Sequence, residues 1–431
     1  MREKIQIFWH RRDLRIEDNA ALSAASQSGF SVLPVFIFDT NILNNLPSND
    51  ARVSFLYETI HRLKLEYQKL GSDLLVFYSS PLQSFQELVS RYNVHQVYIN
   101  KDYEPYALQR DNEIVSFLKA NGIETKFYKD QVLLEPGEVI KDNGEPYTVF
   151  TPFSKKWKST IGNVVEYKLE VSNLLSVIEK QPLVKLENIG FVQSNIPIPS
   201  SEINLKIVKD YEQNRDIPSI NGTSRMGLHL RFGTISIRQL YLRSVNVSPK
   251  YVDELIWREF YFQIIFFFPY VVKSSFKKIY DNIEWRNNIE EFEKWKNGKT
   301  GVPIVDAGMR ELNTTGFMHN RVRMIVASYL TKNLLIDWRW GESYFAEKLL
   351  DFELASNNGG WQWASGSGVD AAPYFRIFNP DLQTKRFDPN ANYIRKWVPE
   401  YNSLSYINSG IVSHEFARKR CLETYKKALN G

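Results

Sequence analysis

The residues best suited to chemistry gather in the second half of the chain. Eight of the ten tryptophans lie beyond residue 250, each a flat apolar wall with one polar N–H. Trp257-Arg258-Glu259-Phe260-Tyr261, taken alone, reads as the aromatic side of an amphipathic helix. Asn357-Asn358-Gly359-Gly360-Trp361-Gln362-Trp363 is less ordinary. Two Asn and two Gly weaken a helix, so the run predicts a backbone shaped around a bound group. Asp370-Ala371-Ala372-Pro373-Tyr374-Phe375-Arg376-Ile377-Phe378-Asn379-Pro380 follows it. Charge is skewed the same way: the net of +5 divides into −1 over residues 1–130 and +6 over the rest. A polyanionic partner is therefore expected on the second part, where Lys and Arg replace condensed counterions; a solvated surface also accounts for so mild an excess. Cys421 is the only cysteine, which leaves no intrachain disulfide and no cysteine metal cluster.

These side chains need elements to position them, and 431 residues exceed what one hydrophobic core usually serves. In the first 130 residues, short runs rich in β-branched and aromatic residues (Ile5–Trp9, Val32–Phe38, Leu74–Tyr78, Val97–Ile99, Thr125–Tyr128) alternate with helical spacing over Ala51–Leu70 and Ala107–Lys119. That alternation predicts an α/β domain, a Rossmann-like parallel sheet covered on both faces, whose ligands would sit beyond the carboxyl ends of the strands. Residues 131–204, punctuated by Pro136-Gly137, Asn143-Gly144, Pro182 and Pro197 to Pro199, read as a long interdomain linker. Residues 205–431 read as helical, with amphipathic segments near 251–268, 305–315, 320–335 and 342–356. Asp253-Glu254 and Asp306 mark expected helix starts. The longest apolar run, near Ile264–Pro269, is far short of the ~20 residues a membrane helix needs. Met1-Arg2-Glu3-Lys4 leads into a strand-like run and lacks a leader's apolar core. A reducing cytoplasm is the expected home.

Together with Trp9-His10-Arg11-Arg12-Asp13-Leu14-Arg15 and Asp18-Asn19, these motifs resemble the photolyase/cryptochrome family, specifically its class I dimer photolyases. The resemblance runs from the first strand to about Asn379 and is carried by the order and joint presence of the motifs. It implies a sheet domain (1–130) that serves a light-harvesting antenna, the linker (131–204), and an all-helical domain (205–431) that binds FAD, active when reduced. By position it implies cofactor contacts from Tyr211, Thr223, Ser224, Arg225, Met226 and Gly227, although Thr-Ser-Arg alone is a common helix start. Arg323 and Asp351 match the charged pair beside the flavin. Asn357 matches the amide facing flavin N5, able to donate or accept by rotating. Phe352 and Glu353 stand where many relatives have Gly-Asp, and count as further cofactor contacts. Trp285, Trp338 and Trp361 match an electron-transfer relay from surface to flavin, though each alone reads as core packing. Trp295, Trp340 and Trp397 have no such match and are expected to be structural.

For DNA carrying pyrimidine dimers, Glu254, Trp257, Asn320, Arg321, Met324, Trp363 and Gln383 match residues of the dimer pocket or its rim. Arg215 and Arg376 resemble phosphate clamps; Gln383 and Arg376 also read as ordinary surface residues. The implied activity is light-dependent splitting of cyclobutane pyrimidine dimers, by a lyase. A (6-4) photolyase would be expected to carry a second His where Asn320 follows His319. A cryptochrome photoreceptor would often show Asp at 357 or lose Trp363. Folate-binding relatives have an Asn-Glu pair after their Tyr-Glu, whereas Tyr103-Glu104 is followed here by Pro105-Tyr106-Ala107. A folate antenna is therefore disfavoured; the sequence resembles members that use a deazaflavin or flavin, but the antenna stays unidentified and an empty site is open. No membrane association, no obligate protein partner and a monomeric state complete the expectation.

Overall fold

Alternation along the first strand decides how the first domain is built. In β1 (Lys4–His10), Ile5, Ile7 and Trp9 enter one buried cluster while Phe8 enters another, because successive side chains of a strand point to opposite faces. Both faces are apolar, so both must be covered. The computed structural model describes residues 3–176, 181–406 and 409–430; Met1 and Arg2, part of the expected lead-in to β1, lie outside them. β2 (Ser31–Asp39), β3 (Leu75–Ser79), β4 (Asn93–Asn100) and β5 (Glu124–Tyr128) complete a wholly parallel sheet of order β3-β2-β1-β4-β5. All five strands fall on the runs expected of them. Helices α1 (Ala20–Ser26) and α2 (Ala51–Lys69) cover one face with Leu22, Ala25, Ile60, Leu63 and Tyr67. On the other, α3 (Pro81–Arg91) and α4 (Pro105–Ala120) contribute Phe85, Leu88, Ile114 and Leu118.

The loop after β1 is tied down by buried polar bonds. Asn100 Nδ2 donates to Asp13 Oδ2 (2.6 Å) and to Asn19 Oδ1 (2.8 Å), and Asn19 caps α1 by accepting from Leu22 N–H. Arg15 pairs with Asp130 at 2.8 Å. Arg238 pairs with Asp18 at 2.8 Å and Asp130 at 2.7 Å. Much of the Trp9–Arg15 and Asp18-Asn19 motif therefore holds the fold together.

The chain forms two compact units, and their membership does not follow chain order. The first comprises Met1–Glu135, Thr160–Ile203 and Met226–Val245; the second comprises Pro136–Ser159, Asn204–Arg225 and Asn246–Gly431. The stretch 131–204, expected as a linker, is thus shared between the units and carries a helix, α5 (Phe150–Thr160).

The second unit is helical. α6 (Pro249–Phe267) starts at Ser248, whose side chain accepts from Tyr251 N–H, with Pro249 in the first turn. The expected start at Asp253-Glu254 is corrected to this Ser-Pro pair, and the two acids sit in the second turn. α7 (Pro303–Thr315) has Asp306 in its first turn, accepting from Thr300 and Gly301 N–H at 2.7 and 3.0 Å. α8 (Asn320–Ser328) ends sooner than the 320–335 pattern suggested and widens into a π turn over Tyr329–Asn333. The 342–356 segment is two helices, α9 (Trp338–Lys348) and α10 (Leu354–Ser365). Between them Leu350 N–H is drawn to Gly316 O (2.8 Å) and Asp351 to Arg323 (2.9 Å). α11 (Pro380–Phe387) and α12 (His414–Asn430) follow. Val322, Val326, Trp338, Phe345 and Trp361 share one buried cluster from α8, α9 and α10. Among the described residues, no helix is long and apolar enough to cross a membrane, and no group of three or more His, Cys, Asp or Glu is placed to hold a metal.

Candidate functional site

The Asn-Asn-Gly-Gly run is regular helix, the middle of α10, and each residue has its own reason to be there. Asn358 and Gln362 both donate to Val271 O, at 3.0 and 2.9 Å, fixing the chain beyond α6. Asn357 Nδ2 donates to Glu342 O (3.1 Å) and Glu342 Oε1 (2.8 Å); burial pushes the Glu342 carboxyl up from its usual range. Gly359 is required by packing, since a Cβ there would lie 2.2 Å from the Tyr261 ring. Gly360 is exposed, and a Cβ there meets nothing within 4 Å, so no residue of the run shows a backbone opened for a guest.

A polar array surrounds Phe317. The guanidiniums of Arg225 and Arg323 lie over its ring at 4.3 and 5.7 Å. Arg323 donates to both oxygens of Asp351 (2.9 and 3.1 Å) and to Met318 O (2.7 Å). Arg225 holds φ +55°, a left-handed conformation that a non-glycine residue adopts at a cost of about 1 kcal/mol or more. Ser224 Oγ lies 2.8 Å from the Tyr251 hydroxyl, and Tyr251 packs edge-on against Tyr211 at 5.2 Å; burial, and then Glu254, raise the Tyr211 hydroxyl pKa. Thr223, half-buried, precedes this pair; Met226 is buried and Gly227 opens a short helix, both in a stretch that belongs to the first unit. Phe352 is half-buried. Glu353 makes a two-point ion pair with Arg258, 2.8 Å at each contact, and both are buried.

His319, read from sequence only as the neighbour of Asn320, caps α8. Its Nδ1 accepts from Arg321 N–H at 3.2 Å, so the ring proton sits on Nε2, which has no hydrogen-bond partner among the described residues. Burial first, then Arg323, Arg321 and Arg215, lower its pKa to about 4 against the opposing pull of Asp216.

The three expected relay tryptophans meet one apolar cluster. Trp361 and Trp338 are buried within it, and Trp285 is half-buried against it. Trp361 packs edge-on to Phe345 at 5.0 Å and to Trp295 at 6.1 Å. Trp285 meets Tyr425 of α12 edge-on at 6.1 Å.

Arg321, Met324, Trp363, Arg376 and Gln383, which come from three separated segments, line one cleft of about 450 Å³. Its further lining includes Phe378, Arg386 and Phe387, so three arginines and no carboxylate face it. Arg386 and Phe387 were not singled out in the sequence, although the basic Lys385-Arg386 pair ends α11. The remaining expected DNA contacts do not line this cleft. Asn320 is exposed at the start of α8. Arg215 pairs with Glu254, and Arg321 with Asp216 at 2.6 Å; Asp216 also approaches Arg215 at 4.0 Å, bridging the two arginines. Trp257 is half-buried, with Phe150 laid against its ring.

Comparison with known proteins places these features. The family model described as DNA photolyase matches residues 6–170, and the FAD binding domain of DNA photolyase matches residues 251–408. A Halobacterium salinarum protein named deoxyribodipyrimidine photo-lyase is 38% identical, the alignment covering 92% of this chain and 89% of that protein. The crystal structure of a bacterial class III photolyase from Agrobacterium tumefaciens is similar with a TM-score of 0.87 at 32% identity, over 100% of this chain and 99% of that one. An archaeal photolyase from Sulfolobus tokodaii, solved with two FAD molecules, gives 0.86 at 36% identity, over 98% and 99%.

Proposed function

The chain belongs to the DNA photolyase family, and from that we infer that it is a deoxyribodipyrimidine photo-lyase, an FAD enzyme that repairs cyclobutane pyrimidine dimers in DNA with light. The observation that carries the assignment to this chain's own residues is the cleft. Residues far apart in sequence converge there to offer aromatic walls and a ring of arginines, the chemistry a flipped-out base and its flanking phosphates require.

The residues near α10 fit FAD. His319 Nε2–H is a buried donor without a partner among the described residues, and Arg225, Arg323 and Asp351 supply charge around an aromatic ring. When bound, reduced FAD supplies the electron that light sends to the dimer. Tyr211, Thr223, Ser224 and Arg225 would hold its phosphate side, where hydroxyls, backbone N–H groups and an arginine suit an anion. Arg323, Asp351, Phe352 and Glu353 would fix its ring side, with Glu353 held in place by Arg258. Glu342 orients the Asn357 amide, its partner by hydrogen bond. Trp361, Trp338 and Trp285 would form the relay, the first two buried and Trp285 half-buried at its surface end.

For the substrate, Trp363 and Met324 of the cleft, with Trp257 outside its lining, would meet the extruded pyrimidines. Glu254, Asn320 and Gln383 would satisfy polar edges otherwise stranded on leaving water. Arg215, Arg321 and Arg376 would take phosphates. The enzyme works as a cytoplasmic monomer on DNA. An antenna, where the sheet domain holds one, is not a folate: Ala107 is buried where a carboxylate would be needed, and Glu104 is committed to Arg12 at 3.2 Å.

The phosphate reading is tested by salt titration of binding to an oligonucleotide with one thymine dimer. Arg376→Ala should reduce the slope of log affinity against log salt by about one unit, with selectivity for damage little changed. An unchanged slope removes Arg376 from the phosphate contacts.

A further inference from the structure

A flat indole makes a good wall only if something holds it still. Phe150, the first residue of α5, lies face to face with Trp257: the centroids are 3.7 Å apart and the planes inclined by 6°. Aromatic pairs ordinarily prefer offset or edge-on contacts with centroids roughly 4.5–7 Å apart, so this stack is set by what surrounds it. α5 is fastened to α6 elsewhere: Trp157 Nε1 donates to Glu259 Oε2 at 2.5 Å, Lys158 reaches Asp253 at 2.6 Å, and Phe153 packs on Phe260 at 5.2 Å. Phe150 N–H is tied to Asp370 Oδ2 at 3.2 Å, and its ring meets Phe260 edge-on at 6.0 Å. Phe260 and Tyr261 crowd the Trp257 ring, each at 5.6 Å. Phe150 is thus part of a braced helix, whereas Trp257 stays half-buried and keeps accessible surface.

We propose that Phe150 is a positioning residue for damage recognition: it backs one face of Trp257 so that the other is presented, already oriented, to the flipped pyrimidines. The proposal rests on the reading of Trp257 as a pocket wall. Phe150 itself touches no DNA. Its contribution is to remove ring motion that binding would otherwise have to freeze, a cost that falls on the complex with damaged DNA alone.

Binding of the full-length protein to a single-thymine-dimer oligonucleotide and to its undamaged counterpart separates the cases. Trp257→Ala should lower the preference for damage, which checks the underlying reading. Phe150→Ala should lower it by roughly 2- to 10-fold with affinity for undamaged DNA unchanged, and should add nothing in the Trp257→Ala background. Phe150→Leu, which fills the space without a flat ring, should lose the same preference, and Phe150→Tyr should restore it. If Trp257→Ala loses preference while Phe150→Ala and Phe150→Leu keep it, the positioning role is wrong. Tighter binding of the dimer by Phe150→Ala would overturn it too, by making Phe150 a stopper in the seat of the base. If Trp257→Ala keeps the parent preference, the pocket reading fails first and the proposal falls with it.

Discussion

His319 shows how position alone can hold a side chain in one protonation state. Its ring is buried beside three arginines while Nδ1 accepts the capping hydrogen bond, so protonation would cost both solvation and the cap. In the unfolded chain the ring titrates near its ordinary value of about 6.5. Below that pH the unfolded state binds a proton that the native state refuses until about pH 4. The stability tied to this group is therefore complete above pH ~6.5 and is lost as pH falls to about 4, by about 3 kcal/mol across the window. His319→Asn retains a capping side chain without the titration, so its urea midpoint should fall less than the parent's between pH 6.5 and 4.5. Parallel pH slopes for the two proteins would show that the fold does not hold the ring neutral. Little of this was legible in the sequence. Asn320 and Arg321 carried a family pattern, but the role of His319 depends on Arg323 and Asp216, and the partner of Asn357 is Glu342, 15 residues away. Side chains that act through a tertiary neighbour leave no local spacing to read.

At the scale of elements, the proposed relay is a test of how separate segments were brought together. Trp338 begins α9, Trp361 lies in α10, and Trp285 sits in a loop before both. Trp361 enters the cluster only because position 341 in α9 is glycine: a Cβ there would lie 2.1 Å from the indole. Trp285→Phe should remove the surface end of the relay and leave the cleft and flavin region intact. Illumination with an external reductant should then reduce oxidised flavin poorly, while chemically reduced variant repairs dimers near the parent rate. Surviving photoreduction would show another donor; collapse of repair in a folded variant would show that Trp285 serves the dimer directly. The strands were legible because their apolar runs are short, β-branched and buried on both faces. The break between α9 and α10 was not, because Gly316 O and Arg323 impose it from elsewhere in the chain. Nor was the helicity of Asn357–Trp363, since its poor intrinsic propensity is offset by bonds from Asn358 and Gln362 to Val271 O.

For the whole molecule, the main departure from a reading in chain order is that each unit recruits a distant segment. Met226–Val245 returns to the first unit and delivers Arg238 to Asp18 and Asp130, all three buried. Arg238→Ala would strand Asp18 without its cation and leave Asp130 with Arg15 alone, so it should cost roughly 3–5 kcal/mol, read as a lower urea midpoint. A loss under about 1 kcal/mol would mean the buried network is not what holds this segment. A family resemblance assigned the two domains, but no linear pattern announces a segment that crosses back. The central claim is nonetheless simple to test. Purified protein with its flavin reduced is mixed with an oligonucleotide carrying one thymine dimer, and intact thymines are counted after blue light or darkness. Splitting of the dimer into intact thymines in the light and none in the dark is the predicted result; damaged DNA that is bound by the flavin-loaded protein yet unrepaired under illumination would contradict it.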